Sequence, residues 1–126
     1  MNLAYWCILV AGVLPMLTVA VAKRGGSNYN NAAPREWMET LSGYRRRADY
    51  AHRNHFEAFP FFAAAVLVAE QRHGAQGAIN ALALAFIVIR VAYTGLYLCN
   101  RPTLRSISWM LGYLCVIALF GVPSAG

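Results

Sequence analysis

Charge is what this chain has least of. Only 13% of its 126 residues are Asp, Glu, Lys or Arg, five of them acidic and eleven basic, while 59% are hydrophobic. With a mean hydropathy of +0.43, this composition excludes an ordinary soluble domain and points to an integral membrane protein. Other absences narrow the reading. Met1 to Val21 holds no Lys or Arg, so Ala20-Val21-Ala22 before Lys23 lacks the positive leader segment of a secretory signal, and a retained first helix is expected. The three cysteines, Cys7, Cys99 and Cys115, form no C-x-x-C, which removes a disulfide or redox framework and leaves them as small hydrophobes in or beside apolar segments. Cys99, near a helix end, is the one placed for reactivity. No internal repeat, zinc-finger spacing or RNA-binding signature accompanies the formal charge of +6, so the basic surplus needs a topological explanation.

Four apolar stretches are present: Leu3 to Ala22, about Phe56 to Ala69, about Ala75 to Cys99, and Ile107 to Val122. A helical span takes roughly 20 residues, and each stretch reaches that length with its flanks. The second is the shortest, so its helix is expected to begin within Arg47 to Asn54 and to carry polar groups into the headgroup zone. The expected architecture is all-α, an integral membrane four-helix bundle forming a single domain over residues 1–126. Its spans fall at about 3–22, 47–71, 75–99 and 104–122, with a cytoplasmic loop at about 23–46. Pro15 falls inside the first span, where a freed carbonyl is tolerable among neighbouring helices. Lys23, Arg24, Arg35, Arg45, Arg46, Arg47 and Arg53 sit between spans one and two, and Arg101 and Arg105 between spans three and four, against Arg72 alone in the intervening hairpin. The positive-inside rule then places both basic connections in the cytoplasm and both termini outside. Gly25-Gly26-Ser27-Asn28-Tyr29-Asn30-Asn31 reads as a turn-rich loop, followed by a short helix from Pro34 to Ser42 ended by Gly43.

Ionisable groups at a bilayer edge are costly unless paired or used. Residues three, four and seven apart share a helix face, which puts Arg47, Asn54 and Glu57 on one stripe of the second span, with Arg53 four residues before Glu57 and able to pair with it. Arg90, Tyr93 and Tyr97 have the same spacing in the third span. The hairpin after Gln71 makes these helices antiparallel, so the two stripes meet near the cytoplasmic end, with Arg101 and Arg105 just beyond. The simplest account of each residue alone is an anchor: Glu57 neutralises Arg90, the tyrosines form an interfacial belt and the arginines snorkel. Together they offer a carboxylate for an ammonium group, an amide for peptide contacts, and guanidinium groups that bind carboxylates bidentately. Those groups suit a small, zwitterionic, multiply anionic peptide such as glutathione. His52, His55 and Glu57 also lie close together, but no second Glu-x-x-His pair supports a helical metal centre, and no metal is expected.

The run Arg47 to Phe61 with its Ala51-His52-Arg53-Asn54-x-x-Glu57 core, Arg90-Val91-Ala92-Tyr93-Thr94-x-x-Tyr97-Leu98, and Arg105-Ser106 resemble the MAPEG family. These are membrane-associated proteins of eicosanoid and glutathione metabolism, among them microsomal glutathione transferases, prostaglandin E synthase and leukotriene synthases. The resemblance runs through all four spans. It implies a homotrimer of four-helix subunits in a membrane, with glutathione held between neighbouring subunits near the cytoplasmic face and no nucleic-acid partner. By the same resemblance Asn54 and Glu57 hold the glutathione backbone and amino group, Arg53 meets a carboxylate, and Tyr93 and Tyr97 line the site beside Arg90. Arg105 takes the place of the arginine that stabilises the thiolate, Ser106 that of a neighbouring hydroxyl, and Lys23 or Arg24 is placed to close the site. Tyr50 stands where several eukaryotic members have arginine, so Arg47 or Arg46 would serve that carboxylate, and Arg101 rivals Arg105 for the thiolate role.

The implied chemistry is thiol activation. A guanidinium that lowered a thiol pKa of about 8.5 by about two units would make thiolate the majority form at neutral pH, for attack on a lipophilic electrophile or hydroperoxide reaching it from the bilayer. Conjugation, peroxide reduction and isomerisation all remain open, as does a non-catalytic lipid-binding scaffold of the same fold. Compactness and the absence of retention signals suggest a bacterial inner membrane.

Overall fold

The computed structural model describes residues 1–24 and 29–125. Its elements, in order, are α1 (Leu3–Lys23), α2 (Pro34–Glu39), α3 (Gly43–Gln71), α4 (Gln76–Leu98) and α5 (Pro102–Phe120). Four long helices therefore accompany one short one. Much of the expected turn-rich loop, Gly25 to Asn28, lies outside the described residues. The short helix is shorter than its expected range to Ser42, stopping at Glu39 with Thr40 as its cap. Gly43 belongs instead to the start of α3, where its φ of 62° supplies the left-handed residue that turns the chain into the next helix. Because of that turn α3 begins ahead of the Arg47 to Asn54 run, and the basic cluster rides on the helix rather than preceding it.

α3 and α4 form the centre of the bundle. α1 packs along α3 and also touches α4, while α5 packs along α4 and also touches α3. The buried face of α3 runs through Ala48, Ala51, His55, Phe62, Ala65, Val66 and Ala69, a stripe of mostly small residues that lets neighbouring backbones come close, which is how helices associate where lipid is as apolar as the side chains. α1 answers with Ala4, Cys7, Ala11 and Pro15. At the centre the Phe62 and Phe86 rings stack at 4.0 Å. Hydroxyls inside the helices return to their own backbone, Thr18 to the Leu14 carbonyl and Ser108 to that of Leu104, so neither faces apolar surroundings unsatisfied. α1, α4 and α5 are each long and apolar enough to cross a membrane. α3 falls short on composition because its first half carries Arg45, Arg46, Arg47, Asp49 and Arg53.

The two ends of the bundle differ in chemistry. At one end the N-terminus meets the α3–α4 hairpin through Ala4 N–H donating to Asn80 Oδ1 at 3.3 Å. The C-terminal strand-like tail also ties down there, with Ala75 N–H on the Pro123 carbonyl and Ala125 N–H on that of His73. Gly74 makes this junction feasible: a Cβ there would lie 3.0 Å from the Ala69 carbonyl oxygen and from Val122 Cγ1. At the other end three consecutive arginines fan out, because successive helical side chains point about 100° apart. Arg45 donates to the Ala22 carbonyl at the end of α1, Arg46 to the carbonyl of Glu39, the last residue of α2, and to that of Leu41 just beyond it, and Arg47 to the Leu98 carbonyl at the end of α4. Cations placed on the last carbonyls of helices satisfy orphan acceptors and complement the helix dipole.

Candidate functional site

One face of the α3–α4–α5 junction gathers a continuous set of polar contacts. The Arg105 guanidinium, in the first turn of α5, lies 4.5 Å over the Tyr97 ring. Tyr97 packs edge-on against Tyr93 at 5.6 Å, and Tyr93 underlies the Arg90 guanidinium at 4.3 Å. Arg90, only 3% exposed, donates from Nη1 to Asn54 Oδ1 at 2.9 Å. Asn54 Nδ2 in turn donates to Glu57 Oε2 at 3.3 Å. The i, i+3 and i, i+4 spacings that place residues on one face thus bring Asn54, Glu57, Arg90, Tyr93, Tyr97 and Arg105 into a single chain of contacts.

A cavity of about 130 Å³ opens beside Asn54, Glu57 and Arg90. Its remaining walls are apolar or aromatic, chiefly Phe61, Phe86, Trp109, Gly112 and Tyr113. Trp109 and Tyr113 stack at 5.3 Å on α5. Polar groups at one side of an otherwise apolar recess can orient a ligand with a charged part and a greasy part.

Not every residue singled out from the sequence joins this set. Arg53 does not pair with Glu57. Its Nη2 lies 2.8 Å from Glu39 Oε1 and 2.9 Å from Asp49 Oδ2, since the i, i−4 partner on its own face is Asp49 and the α2 helix brings Glu39 over it. The Glu39 carboxyl is held below its ordinary range, mainly by the hydrogen bond from Arg53 and then by that guanidinium's charge. Arg90 likewise is not neutralised by Glu57: among the described residues it makes no ion pair, and its partners are Asn54 and His55. Arg47 is engaged with the Leu98 carbonyl. Tyr50 accepts from Arg46 Nη1 at 3.1 Å and lies 6.4 Å from Tyr97, so it borders the tyrosine pair. Ser106 faces outward, in a shallow groove with Pro102, Thr103, Ile107 and Met110. Arg101 is exposed, and its backbone carbonyl accepts the Arg105 N–H.

Arg53 belongs to a second, larger cleft of about 580 Å³ between α1, α2 and α3, shared with Lys23, Arg35, Glu39, Asp49 and His52. Lys23 lies 4.4 Å over the Tyr29 ring there. His52 Nδ1 is 2.7 Å from the Pro15 carbonyl oxygen, whereas His55 turns the other way toward Arg90. The two histidines therefore serve different neighbours.

Sequence reasoning weighed His55 only as a metal ligand, named Thr94 only within a motif, and missed Trp109, Gly112 and Tyr113. His55 was detectable as a polar residue on an alanine-rich buried stripe, one it shares with Asp49, and Thr94 as the residue four after Arg90. The α5 residues carried no such signal, because an aromatic on a membrane helix is as readily lipid-facing as site-facing.

The helices and this site define an integral membrane protein, all-helical in its described residues, with a half-polar recess between α3, α4 and α5. Compared with known protein families, residues 3–125 match the MAPEG family, and the chain belongs to it. Among curated proteins and among solved structures no match is found. Membership supports a membrane-associated role in glutathione-related chemistry, a family setting that includes both enzymes and non-catalytic members.

Proposed function

We propose that this protein is a membrane-bound, glutathione-dependent transferase, with peroxidase-type reactivity toward lipophilic hydroperoxides, working as a homotrimer in detoxification. The observation that carries this reading is Arg90: a buried guanidinium at the edge of a cavity, held by a neutral amide and an imidazole and, among the described residues, by no carboxylate within 4.0 Å. A buried cation lacking a counter-ion favours an anionic ligand. Glutathione has two carboxylates, an ammonium group suited to Glu57, and amides suited to Asn54.

Within that reading, Arg105 stabilises the thiolate from its perch over Tyr97, with Ser106 a neighbouring hydroxyl and Tyr93 and Tyr97 lining the site. The electrophile occupies the aromatic recess of Trp109 and Tyr113. The separation of Arg53 and Lys23 from the Asn54–Glu57 face supports a site completed between neighbouring copies, each presenting one half to the next, and Arg47 then braces α3 against α4 instead of reaching the ligand. All four long helices cross the membrane, α3 with its charged half in the headgroup zone. The end bearing Arg45, Arg46, Arg47 and Arg105 faces the cytoplasm, both termini lie outside, and the membrane is a bacterial inner membrane.

The test is turnover. Detergent-purified protein with glutathione is offered a halonitroarene and, separately, a fatty-acid hydroperoxide. Conjugate or alcohol formation above the uncatalysed rate is expected. No turnover with either, together with tightly co-purifying lipid, would favour the lipid-binding scaffold.

A further inference from the structure

His55 is nearly fully buried, 3% exposed, and the groups around it determine where its proton sits. Thr94 Oγ1 donates its one proton to the Arg90 carbonyl at 2.9 Å. It therefore accepts from His55 Nε2, also at 2.9 Å, which puts the ring proton on Nε2. Nδ1 is then a bare acceptor, and Arg90 fills it from Nη2 at 2.8 Å and Nε at 3.3 Å. A guanidinium gripped on that edge has its remaining Nη1 aimed at Asn54 Oδ1 at 2.9 Å. With its oxygen so engaged, the Asn54 amide has only its NH₂ to offer Glu57.

We propose that His55 and Thr94 are positioning residues, which through Arg90 set the orientation of the Asn54 amide and the direction of the Glu57 carboxylate. The relay reads Thr94, His55, Arg90, Asn54, Glu57, and each link permits one donor–acceptor arrangement. Being neutral, the imidazole orients Arg90 without cancelling its charge, so the guanidinium stays available to an anion in the cavity. A carboxylate at the same place would hold the fork equally well but would remove that charge. The inference rests on the reading that Asn54 and Glu57 hold glutathione, but its structural half is testable alone.

The experiment combines nitrogen NMR of detergent-solubilised, ¹⁵N-labelled protein with glutathione titration, in wild type, His55→Leu, His55→Asn and Thr94→Val. Asn replaces Nδ1 with an acceptor oxygen at a similar position, so it keeps the grip on Arg90. The Asn54 side-chain signals are assigned by their loss in Asn54→Asp. Wild type is expected to show a single Nε2–H tautomer for His55 and two separate, exchange-protected Asn54 protons. His55→Leu is expected to lose that protection and bind glutathione roughly tenfold more weakly, and His55→Asn to restore both. Thr94→Val, the gentler change if His55→Leu does not fold, is expected to leave the His55 Nε2–H without its acceptor, exchanging faster with solvent, and to loosen Asn54. A role in packing alone would instead lower thermal stability in His55→Leu and His55→Asn alike, with Asn54 signals that do not follow the acceptor. Unchanged Asn54 signals in His55→Leu, or in Thr94→Val, would overturn the relay. Wild type that shows the relay but binds no glutathione would overturn the proposed function and leave the positioning geometry standing.

Discussion

Replacing Arg105 by Ala separates thiol chemistry from folding, because the two depend on this side chain by different amounts. Among the described residues its side chain makes no hydrogen bond or ion pair, and its guanidinium lies 4.5 Å over the Tyr97 ring, a partly exposed cation–π contact worth about 1 kcal/mol. Thermal stability should therefore fall only slightly. The thiolate term is larger. A guanidinium about 4 Å from a thiolate, at an effective dielectric of about 20, contributes about 4 kcal/mol, equivalent to about three pKa units. Partial solvation reduces this to about two units, which moves glutathione from about 3% to about three quarters thiolate at pH 7. Wild type with glutathione should show the ultraviolet thiolate band in a difference spectrum, and Arg105→Ala should show it only above about pH 8. Conjugation at pH 7 should fall by more than tenfold, while glutathione affinity changes less. Arg101→Ala should behave as wild type, since Arg101 is exposed and outside the tyrosine stack. A full thiolate band in Arg105→Ala, or its loss in Arg101→Ala, would refute the assignment.

Glu57→Gln should weaken glutathione binding about tenfold with little change in melting temperature, because Arg90 keeps His55 and Asn54; calorimetric titration and thermal unfolding check both. Gly112 floors the recess, and a Cβ there would make ordinary contact with Ile89 Cγ2 at 3.5 Å. Gly112→Ala should thus fold and bind glutathione normally yet raise KM for bulky aromatic electrophiles in steady-state assays. Gly74→Ala forces a Cβ to within 3.0 Å of the Ala69 carbonyl and should cost about 1–3 kcal/mol, read as a lower melting temperature with glutathione affinity retained. Glu39 has its folded pKa held below its ordinary 4.5 by Arg53, so its contribution is present above that value and disappears as pH falls through the folded pKa. Melting curves of wild type should separate from those of Glu39→Gln above the ordinary carboxylate range and converge on them as pH falls through the lowered folded-state value.

The long helices were legible because apolar runs of span length leave a chain few alternatives, and polar stripes on α3 and α4 were legible because helical periodicity is rigid. What periodicity does not convey is which of several eligible partners a long side chain reaches. Arg53 had Glu57 four residues ahead and Asp49 four behind, and the choice fell to Asp49 because α2 adds Glu39 on that side. Arg47 was aligned with Asn54 and Glu57 by spacing, yet the end of α4 presented an orphan carbonyl closer at hand. Glu57 and Arg90 looked like a neutralising pair, but His55 takes one edge of the guanidinium and Asn54 another. The limit of the short helix, at Glu39 instead of Ser42, depended on whether Gly43 closes one helix or opens the next, and a glycine serves either.

The central claim is that Asn54, Glu57 and Arg90 form a binding site for glutathione. Isothermal titration of the detergent-solubilised wild type with glutathione tests it most directly, with Asn54→Ala run in parallel. Saturable binding at or below millimolar glutathione, weakened about tenfold in Asn54→Ala, is the predicted result. No heat of binding at that concentration, or identical binding in the variant, would contradict it.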